Sequence, residues 1–410
     1  MRTTTLWLAG TILAGILTTA CSDDESPATG ATDTQTTSDQ GGAGGTTTTT
    51  TTTTATGGAG GQGAAGGGGA GGEGGAPEVE WQAPACAVVS GTSAITFTTD
   101  EGATLTPTAQ PLTGVGYALG LAALDTPNTL LAEYKGDLLQ STDAGCVWSK
   151  IGSLVGGYMF HITAAPGGRA YAWEENGPAL YRIDGGVATL LTSPASNIVG
   201  LGVDPSDGLH LRIGDGSGAL SDSVDGGVNW TKQGQAGEGA NFIGYRFAFD
   251  PADLDHILFG QTTVGARLSI DGGATWVTST GLGASANAFS LVVSPVDGNI
   301  VWAEAIELGP DVRHVLRSGD GGATFEVVAT DSAEVILVNG SLLVPHATDP
   351  DILYFVFGSH FQNYGTDIFR YDHVAGKVTK THNTYDDVFS IVPSPADPSV
   401  LYFGLAVEQI

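Results

Sequence analysis

The chain has 410 residues, of which 43 are Asp or Glu and only 14 are Lys or Arg, so its formal net charge is −29. Binding to a phosphate backbone depends on clustered basic residues, and this composition therefore excludes a general nucleic-acid binder. The 63 glycines and 14% charged residues are typical of disorder, whereas 41% hydrophobic residues are enough for a large core, so disordered and folded parts must occupy different stretches.

Residues 1–20 have the pattern of a signal peptide. Arg2 precedes an uncharged run from Leu6 to Leu17, and this run is too short to span ~30 Å of hydrocarbon. The small residues that lead into Cys21 resemble the lipobox of bacterial lipoproteins, in which the cysteine is acylated and becomes the mature N-terminus. Thr18 stands where the lipobox usually has Leu, so ordinary secretory cleavage is the alternative. The resemblance implies export and a lipid anchor at the bacterial outer membrane or cell surface, with a periplasmic or secreted protein as the alternative.

Residues 21–78 are predicted to form a disordered tether that begins at the lipidated cysteine. They are mainly Thr, Gly, Ala and Ser, with threonine at every position from Thr46 to Thr54, and they cannot bury enough apolar surface to fold. A flexible coil of this length has a root-mean-square span of ~40 Å, enough to hold a domain away from a membrane surface. The threonines are also compatible with O-glycosylation.

Two further cysteines, Cys86 and Cys146, lie in the remaining sequence. Two thiols in an oxidising compartment can pair, and we therefore predict a disulfide between them. Two separate buried thiols are the alternative, because the sequence does not give the separation of the Cα atoms.

Residues 79–410 contain a repeated loop. Four segments share the pattern Ser-x-Asp-x-Gly-x-x-aromatic, and three weaker copies fill the gaps between them and beyond them. Successive copies are 41 to 52 residues apart. The aspartates of the seven copies are Asp100, Asp143, Asp184, Asp225, Asp271, Asp320 and Asp372.

A second pattern recurs between these loops: an apolar strand, a turn with Pro or Asp, and another apolar strand, as at Leu201–Pro205 and Phe247–Pro251. Each unit therefore contains four short strands, and no long helical periodicity occurs. Four-stranded units that repeat every ~40 to 50 residues are typical of β-propeller blades. The sequence thus predicts an all-β fold, a seven-bladed β-propeller of four-stranded blades at residues 79–410.

The two ends of this region are predicted to complete one blade. An outer hairpin from Ile95 to Leu105 carries the first loop copy, whereas the last strand, from Leu401 to Ala406, is followed by no copy. Pairing of N- and C-terminal strands in one blade would close the ring and leave no open sheet edge.

The repeated loops resemble the Asp box, or BNR repeat, of sialidases, xyloglucanases, sortilin-type receptors and photosystem II assembly factors. The resemblance covers roughly four-fifths of the chain. It implies the propeller fold and leaves the function open, because one fold hosts many functions. In such a hairpin the carboxylate accepts backbone N–H bonds and the aromatic packs between sheets, so the seven aspartates are predicted to be structural.

The resemblance to hydrolases is incomplete. Sialidases carry an early Arg-Ile-Pro motif, and the most similar string here is Arg182-Ile183-Asp184. Xyloglucanases place one carboxylate on each of two propellers, and only one propeller is predicted here. The assembly factors hold a protein partner. We therefore predict a non-enzymatic binding or scaffold propeller at the cell surface, with a glycoside hydrolase of the xyloglucanase or sialidase type as the alternative.

Candidate binding residues lie in loops on the face opposite the boxes. Aromatic faces combined with polar groups suit sugar rings or a peptide. These candidates are His360, Phe361, Asn363, Tyr364, Tyr385, Tyr158, His161, Tyr245 and Arg246. A hydrolase would need two carboxyl groups ~5 to ~10 Å apart, and the candidates for that pair are Asp386, Asp387 and Glu174, with Glu175 and Glu304 as further acids of this region.

Motifs for metal, serine-hydrolase and nucleotide chemistry are absent from the sequence, which has no His-x-His, His-Glu-x-x-His, Gly-x-Ser-x-Gly or phosphate-loop pattern. We therefore expect no cofactor and no metal site. Ca²⁺ suits the acidic composition, but no ligand set can be named. The expected partners are the bacterial membrane, through the lipid anchor, and a protein or glycan ligand that binds a monomer.

Overall fold

The computed structural model describes residues 80–112, 116–157, 159–239, 241–359, 363–385 and 387–407. The predicted signal peptide, Cys21 and the tether lie outside these residues, as do the candidate residues Tyr158, His360, Phe361 and Asp386. Within the described ranges, no helix has the length and apolarity that crossing a membrane requires.

The prediction of an all-β fold is confirmed, since the described residues form 28 β-strands. In the first half of the fold these are β1 (Ile95–Thr98), β2 (Gly116–Tyr117), β3 (Leu121–Ala123), β4 (Leu130–Tyr134), β5 (Asp137–Ser141), β6 (Ser149–Ser153), β7 (Phe160–Ala165), β8 (Arg169–Glu174), β9 (Leu180–Asp184), β10 (Val187–Leu190), β11 (Ile198–Val203), β12 (Leu211–Asp215), β13 (Ala219–Ser223) and β14 (Thr231–Gln235). In the second half they are β15 (Gly244–Phe249), β16 (Ile257–Gln261), β17 (Val264–Ser269), β18 (Val277–Thr278), β19 (Ala286–Val293), β20 (Val301–Glu307), β21 (Val312–Ser318), β22 (Glu326–Thr330), β23 (Leu343–Pro345), β24 (Ile352–Ser359), β25 (Gly365–Asp372), β26 (Lys377–Asn383), β27 (Asp387–Pro393) and β28 (Leu401–Val407).

Most of these strands form antiparallel groups of four that are contiguous in sequence. Strands β3–β6, β7–β10, β11–β14 and β23–β26 each form one sheet. Strands β15–β18 and β19–β22 form two such groups, which a short parallel pairing of β17 with β19 joins into one larger sheet. The remaining sheet combines both ends of the fold, because β28 pairs with β27 on one side and with β1 and β2 on the other.

The burial of the strands follows from their position within each group. All five residues of β16 are buried, as are the first five residues of β24, because a neighbouring group covers each face of these strands. The fourth strands, such as β14 and β26, are largely exposed. Continuous apolar runs therefore mark the inner strands, and polar runs mark the outer ones.

Seven hydrophobic clusters fill the spaces between successive groups. In one of them, Ile162 of β7 packs with Leu131 of β4. The group of terminal strands contacts two others: Phe403 of β28 packs with Tyr354 of β24, and Tyr402 of β28 packs with Leu130 of β4. Each group thus shares one core with the group before it and another with the group after it.

Five of the predicted boxes share one hydrogen-bond network. In the Asp271 hairpin, Ser269 Oγ donates to Asp271 Oδ1 over 2.8 Å, and Gly273 N–H donates to Ser269 Oγ over 2.8 Å. The Thr275 hydroxyl and N–H also donate to Asp271, and they lower its pKa to about 2. Three of these four bonds recur in the hairpins of Asp100, Asp143, Asp225 and Asp320: hydroxyl to carboxylate, Gly N–H to hydroxyl, and the N–H four residues after the aspartate to its carboxylate. Each of these carboxylates is thus engaged within its own hairpin.

The hairpins of Asp184 and Asp372 lack this network because arginine replaces the hydroxyl residue two positions earlier. Asp184 instead accepts hydrogen bonds from Arg169 Nε at 2.5 Å and from Arg182 Nε at 2.8 Å. Asp372 lies 3.6 Å from Arg370 Nη1 and accepts the N–H of Ala375 at 2.9 Å. These two aspartates are therefore partners of arginines as well as turn residues.

Cys86 and Cys146 form a disulfide in the structure, with their Cα atoms 5.7 Å apart. The bond attaches the segment that precedes β1 to the Asp143 hairpin. The same segment is held by Trp81, whose Nε1 donates to the Leu124 carbonyl over 3.0 Å. The start of the described chain is thus fastened to the β3–β6 group.

His256 connects two successive groups. Its Nδ1 lies 2.9 Å from Asp250 Oδ2 and its Nε2 lies 2.8 Å from the Gly321 carbonyl oxygen. Both partners are acceptors, so both bonds form only when the ring is protonated. Burial lowers the pKa of His256, but Asp250 and the Gly321 carbonyl outweigh burial and shift the pKa upward.

This raised pKa predicts a pH-dependent stability. The contribution of His256 to the free energy of unfolding is fully present below the unfolded-state pKa of about 6.5, and it is lost as the pH rises through the higher folded-state pKa. His256→Gln should therefore destabilise the protein more at about pH 5.5 than at about pH 8.5, as measured by urea unfolding. His314→Gln is the control, because the partner of His314 is the neutral Thr330 hydroxyl. An equal loss for His256→Gln at both pH values would contradict the assignment.

Candidate functional site

One cavity of about 780 Å³ is bordered by all seven groups of strands. Its lining includes a residue in or directly before the first strand of each group, namely Leu121, His161, Asn197, Tyr245, Phe289, Leu343 and Phe389. A volume of this size suits a small ligand or a short peptide segment. The cavity is therefore the candidate functional site.

β-Bulges orient the aromatic side chains of this cavity. In β15, β19 and β27 the pairing with the second strand skips one residue, and the skipped residues are Tyr245, Phe289 and Phe389. All three line the cavity. Bulges re-aim a side chain in this way where a strand borders a functional site. The skipped residue lies five positions before the first residue after the strand, which is Asp250, Ser294 or Ser394.

Aromatic rings form two close pairs near this cavity, one between neighbouring groups and one within the group of terminal strands. The ring centroids of Tyr245 and Phe289 are 4.4 Å apart, and those of Tyr117 and Phe389 are 5.0 Å apart. Such pairs present flat apolar faces with little side-chain freedom, which favours contact with apolar side chains of a ligand. The sequence indicated Tyr245 but not its partner Phe289.

A cluster of ionisable side chains lies in the same wall. His161 Nε2 is 2.9 Å from Glu175 Oε2, and Arg246 Nη2 donates to Glu175 Oε1 over 3.1 Å. The His161 ring stacks on Trp173 with the ring centroids 4.3 Å apart. His161, Glu175 and Arg246 all line the cavity. We call these three residues the ionic cluster.

The ionic cluster keeps Glu175 ionised. Burial raises the pKa of Glu175, but the hydrogen bond from His161 and the charge of Arg246 outweigh it and bring the pKa down to about 2. Burial lowers the pKa of His161. A carboxyl group with a pKa this low does not protonate a leaving group near neutral pH.

Two carboxyl groups with raised pKa lie elsewhere. Burial raises the pKa of both Glu133 and Glu304 to about 8. Both side chains are fully buried on second strands and neither lines the cavity. Glu304 Oε2 accepts the N–H of Gly340 over 2.9 Å, and Glu133 Oε1 accepts that of Gly136 over 2.6 Å. Neither acid therefore faces the site, although Glu304 accepts the N–H of Gly340, which lines it.

Of the predicted catalytic acids that the structure describes, Glu174 and Asp387, only Asp387 lines the cavity. Glu174 is absent from the lining; it accepts the N–H groups of Gly157 and Ala179 and so holds the adjoining loops together. Asp387 lines the cavity, whereas Asp386 lies outside the described residues. Of the two adjacent glutamates, Glu175 and not Glu174 faces the cavity, because neighbouring residues at the end of a strand point in opposite directions.

The predicted binding residues separate into two sets. His161, Tyr245 and Arg246 line the cavity, whereas Asn363, Tyr364 and Tyr385 do not. Tyr364 Oη donates to Asp367 Oδ2 over 2.6 Å. Asp367 is fully buried and also contacts His382 Nδ1 at 2.8 Å and Lys380 Nζ at 3.3 Å. This second set therefore belongs to a neighbouring hydrogen-bonded loop. Tyr158, His360 and Phe361 lie outside the described residues.

Exposed apolar side chains line part of the cavity. Met159, Ile243 and Val338 line it, and their exposed fractions are 44%, 59% and 44%. Apolar groups around a polar pocket are typical of protein-binding surfaces. The described residues contain no group of three or more His, Cys, Asp or Glu placed to hold a metal ion.

A close relative exists among characterised proteins, although no protein-family model matches the chain. Over 341 residues the chain is 49% identical to the dispase autolysis-inducing protein of Streptomyces mobaraensis. The alignment covers 80% of this chain and 91% of that protein.

The fold is shared with several solved structures at low sequence identity. An ancestral GH74 enzyme has a TM-score of 0.53 and 17% identity, with 72% of this chain and 45% of the enzyme covered, so the chain spans less than half of the enzyme. YCF48 from Cyanidioschyzon merolae has a TM-score of 0.50 and 14% identity, with 72% and 97% covered. Virginiamycin B lyase from Staphylococcus aureus has a TM-score of 0.51 and 11% identity, with 72% and 96% covered. These likenesses show the β-propeller fold.

Proposed function

The chain belongs to the family of the dispase autolysis-inducing protein, and we propose that it is a non-enzymatic propeller that binds a protease and induces autolysis of that protease. The observation that carries the proposal is the 49% identity over 91% of the relative's length. Autolysis is the cleavage of one protease molecule by another. A protein that induces it therefore needs only to bind the protease in a form that other molecules of the protease can cut.

The cavity is the proposed contact surface for the protease. Its apolar side chains, Met159, Ile243 and Val338, offer area for protein contact, and the ionic cluster in the same cavity offers directional hydrogen bonds. Glu175 is held ionised by His161 and Arg246, which suits binding better than proton transfer. The hydrolase alternative draws no support from this arrangement.

Binding can induce autolysis by mass action. A partner that binds a partly opened protease, and not the closed one, raises the population of the opened form. At a concentration 100 times the dissociation constant for the opened form, the shift is about 2.7 kcal/mol, or about a hundredfold. The propeller itself remains unchanged and breaks no bond.

The finer architecture is part of the same proposal. We propose seven blades in a closed ring, which the seven clusters between successive groups and the pairing of β28 with β1 support. We also propose that the five hairpins with the hydroxyl–carboxylate network are Asp boxes. The lipid anchor at Cys21, export to the bacterial surface and a monomeric state complete the proposal.

The test is an autolysis assay. Dispase is incubated with and without the purified protein, and its fragments are followed by electrophoresis. We expect fragments to accumulate at least about tenfold faster with the protein, which equals about 1.4 kcal/mol. Heat-denatured protein is the control. An unchanged rate of fragment accumulation would contradict the proposal. Release of sugar from a glycan panel would support the hydrolase alternative instead.

A further inference from the structure

The cavity places a guanidinium with unused donors beside an aromatic wall. We propose that Arg246 binds a carboxylate on a protease segment that enters the cavity, and that the apolar side chain next to this carboxylate packs on Tyr245 and Phe289. The inference rests on the proposed function, because it names the chemical group by which the partner is recognised.

The hydrogen-bond capacity left in the ionic cluster is mainly that of a donor. A guanidinium has five N–H donors in a planar fork, and among the described residues only Nη2 of Arg246 has a partner, Glu175 Oε1 at 3.1 Å. Each oxygen of Glu175 already has a partner, Arg246 for one and His161 for the other. The donors that remain on Arg246 match a carboxylate, which arginine binds with two parallel bonds.

The position of Arg246 distinguishes it from the arginines near the box hairpins. Arg212, for example, is almost fully buried and contacts Asp222, Asp255 and the Leu254 carbonyl. The other arginines in ion pairs near the boxes are Arg169, Arg182, Arg267, Arg317 and Arg370. Arg246 is 30% exposed and is the arginine that lines the cavity among the described residues.

The acidic character of the whole chain does not prevent this contact. Charges more than ~8 Å away are screened at physiological ionic strength, so the groups next to the ligand decide its binding. Asp387 also lines the cavity, and its negative charge would repel an anion that bound next to it. We therefore expect the ligand carboxylate to bind beside Arg246, near the rings of Tyr245 and Phe289, whose centroids are 4.4 Å apart.

Autolysis supplies the proposed ligand. Hydrolysis of a peptide bond adds water across the bond and leaves a new α-carboxylate on one fragment and a new amine on the other. Asp and Glu side chains offer the same group in the intact protease. Capture of either carboxylate favours the form of the protease that presents it, by the same mass action that the proposed function requires.

Small probes distinguish the two sources of the carboxylate, a new α-carboxylate and an Asp or Glu side chain, in an NMR experiment on the full-length protein with ¹⁵N-labelled arginine. The probes are N-acetylphenylalanine, which carries an α-carboxylate, N-acetylaspartylphenylalaninamide, which carries a β-carboxylate, N-acetylphenylalaninamide, which is neutral, and phenylalaninamide, which is a cation. We expect the Nε–H signal of Arg246 to shift with one or both of the acids and not with the neutral amide or the cation.

Two variants and a matched control fix the assignment. Arg246→Gln should weaken binding of the acids at least about tenfold, equal to about 1.4 kcal/mol, and Arg246→Lys should weaken it less. Arg182→Gln is the control, because Arg182 is 25% exposed and also pairs with a carboxylate, that of Asp184. It should leave binding unchanged. Retained circular dichroism shows that each variant is folded.

Several outcomes would overturn the inference: equal affinity for N-acetylphenylalanine and its amide, tighter binding of the cation, acid binding that survives Arg246→Gln, or no shift with either acid. The autolysis assay keeps this result apart from the proposed function. Faster autolysis without carboxylate binding removes this inference alone. Carboxylate binding without faster autolysis removes the protease as the partner and leaves Arg246 as a carboxylate site.

Discussion

Tyr402→Ala is expected to lower the free energy of unfolding by about 3–5 kcal/mol, because it deletes a fully buried ring where the last strand, β28, pairs with the first, β1. Tyr402 lies on β28 and packs edge-on against Phe97 of β1, with the ring centroids 6.3 Å apart. Its Oη donates to the Ala144 carbonyl over 3.0 Å, across 258 residues of sequence. One side chain thus joins the terminal-strand group to the β3–β6 group.

Tyr402→Phe is the matched control for this substitution. It keeps the ring and leaves the Ala144 carbonyl without its partner, so the expected loss is about 1–3 kcal/mol. Urea unfolding measures both losses. A loss below about 1 kcal/mol for Tyr402→Ala would mean that the terminal strands unfold separately from the rest, and a closed ring would then be ruled out.

Much of the fold was predictable because one local rule repeats. The hydroxyl–Asp–Gly pattern closes a tight hairpin by bonds within eight residues, so its spacing marks each four-stranded group. Thr98 shows the strength of this rule: the Asp100 copy lacks an aromatic residue, yet it forms the same bonds. Arg182 shows its limit, since an arginine before Asp184 turns the loop into an ion-pair site.

The site was less predictable because its side chains are positioned by register. Tyr245 and Arg246 were indicated by their residue types, whereas Phe289 and Phe389 occupy equivalent bulges that the apolar pattern conceals. A shift of one residue turns a side chain to the other face of a sheet. Glu174 and Glu175 illustrate the consequence, because the sequence favoured the first and the cavity contains the second.

The electrostatics of the cavity also depend on contacts between distant segments. Glu175 and Arg246 are 71 residues apart, and their groups are separated by the β11–β14 group. Nothing local to either residue indicates the contact. The fold was therefore predictable from local chemistry, whereas the charge state of the site follows from which strands border the cavity.

Removal of the disulfide is the second large effect that we expect. Cys86→Ser together with Cys146→Ser should lower the free energy of unfolding by about 4 kcal/mol, because a cross-link over 60 residues restricts the unfolded chain by about that amount. The folded segment should stay in place, since Val89 is fully buried and Trp148 N–H donates to the Ser90 carbonyl over 3.1 Å.

Thermal unfolding under oxidising and reducing conditions measures this effect. The oxidised protein should unfold at a higher temperature than the double variant. A reducing agent should lower the unfolding midpoint of the unaltered protein to that of the double variant and leave the midpoint of the double variant unchanged. A midpoint of the unaltered protein that does not respond to reduction would contradict the assignment. Disulfides persist in oxidising compartments, so a stability that depends on this bond agrees with the proposed export of the chain and with a protease partner outside the cell.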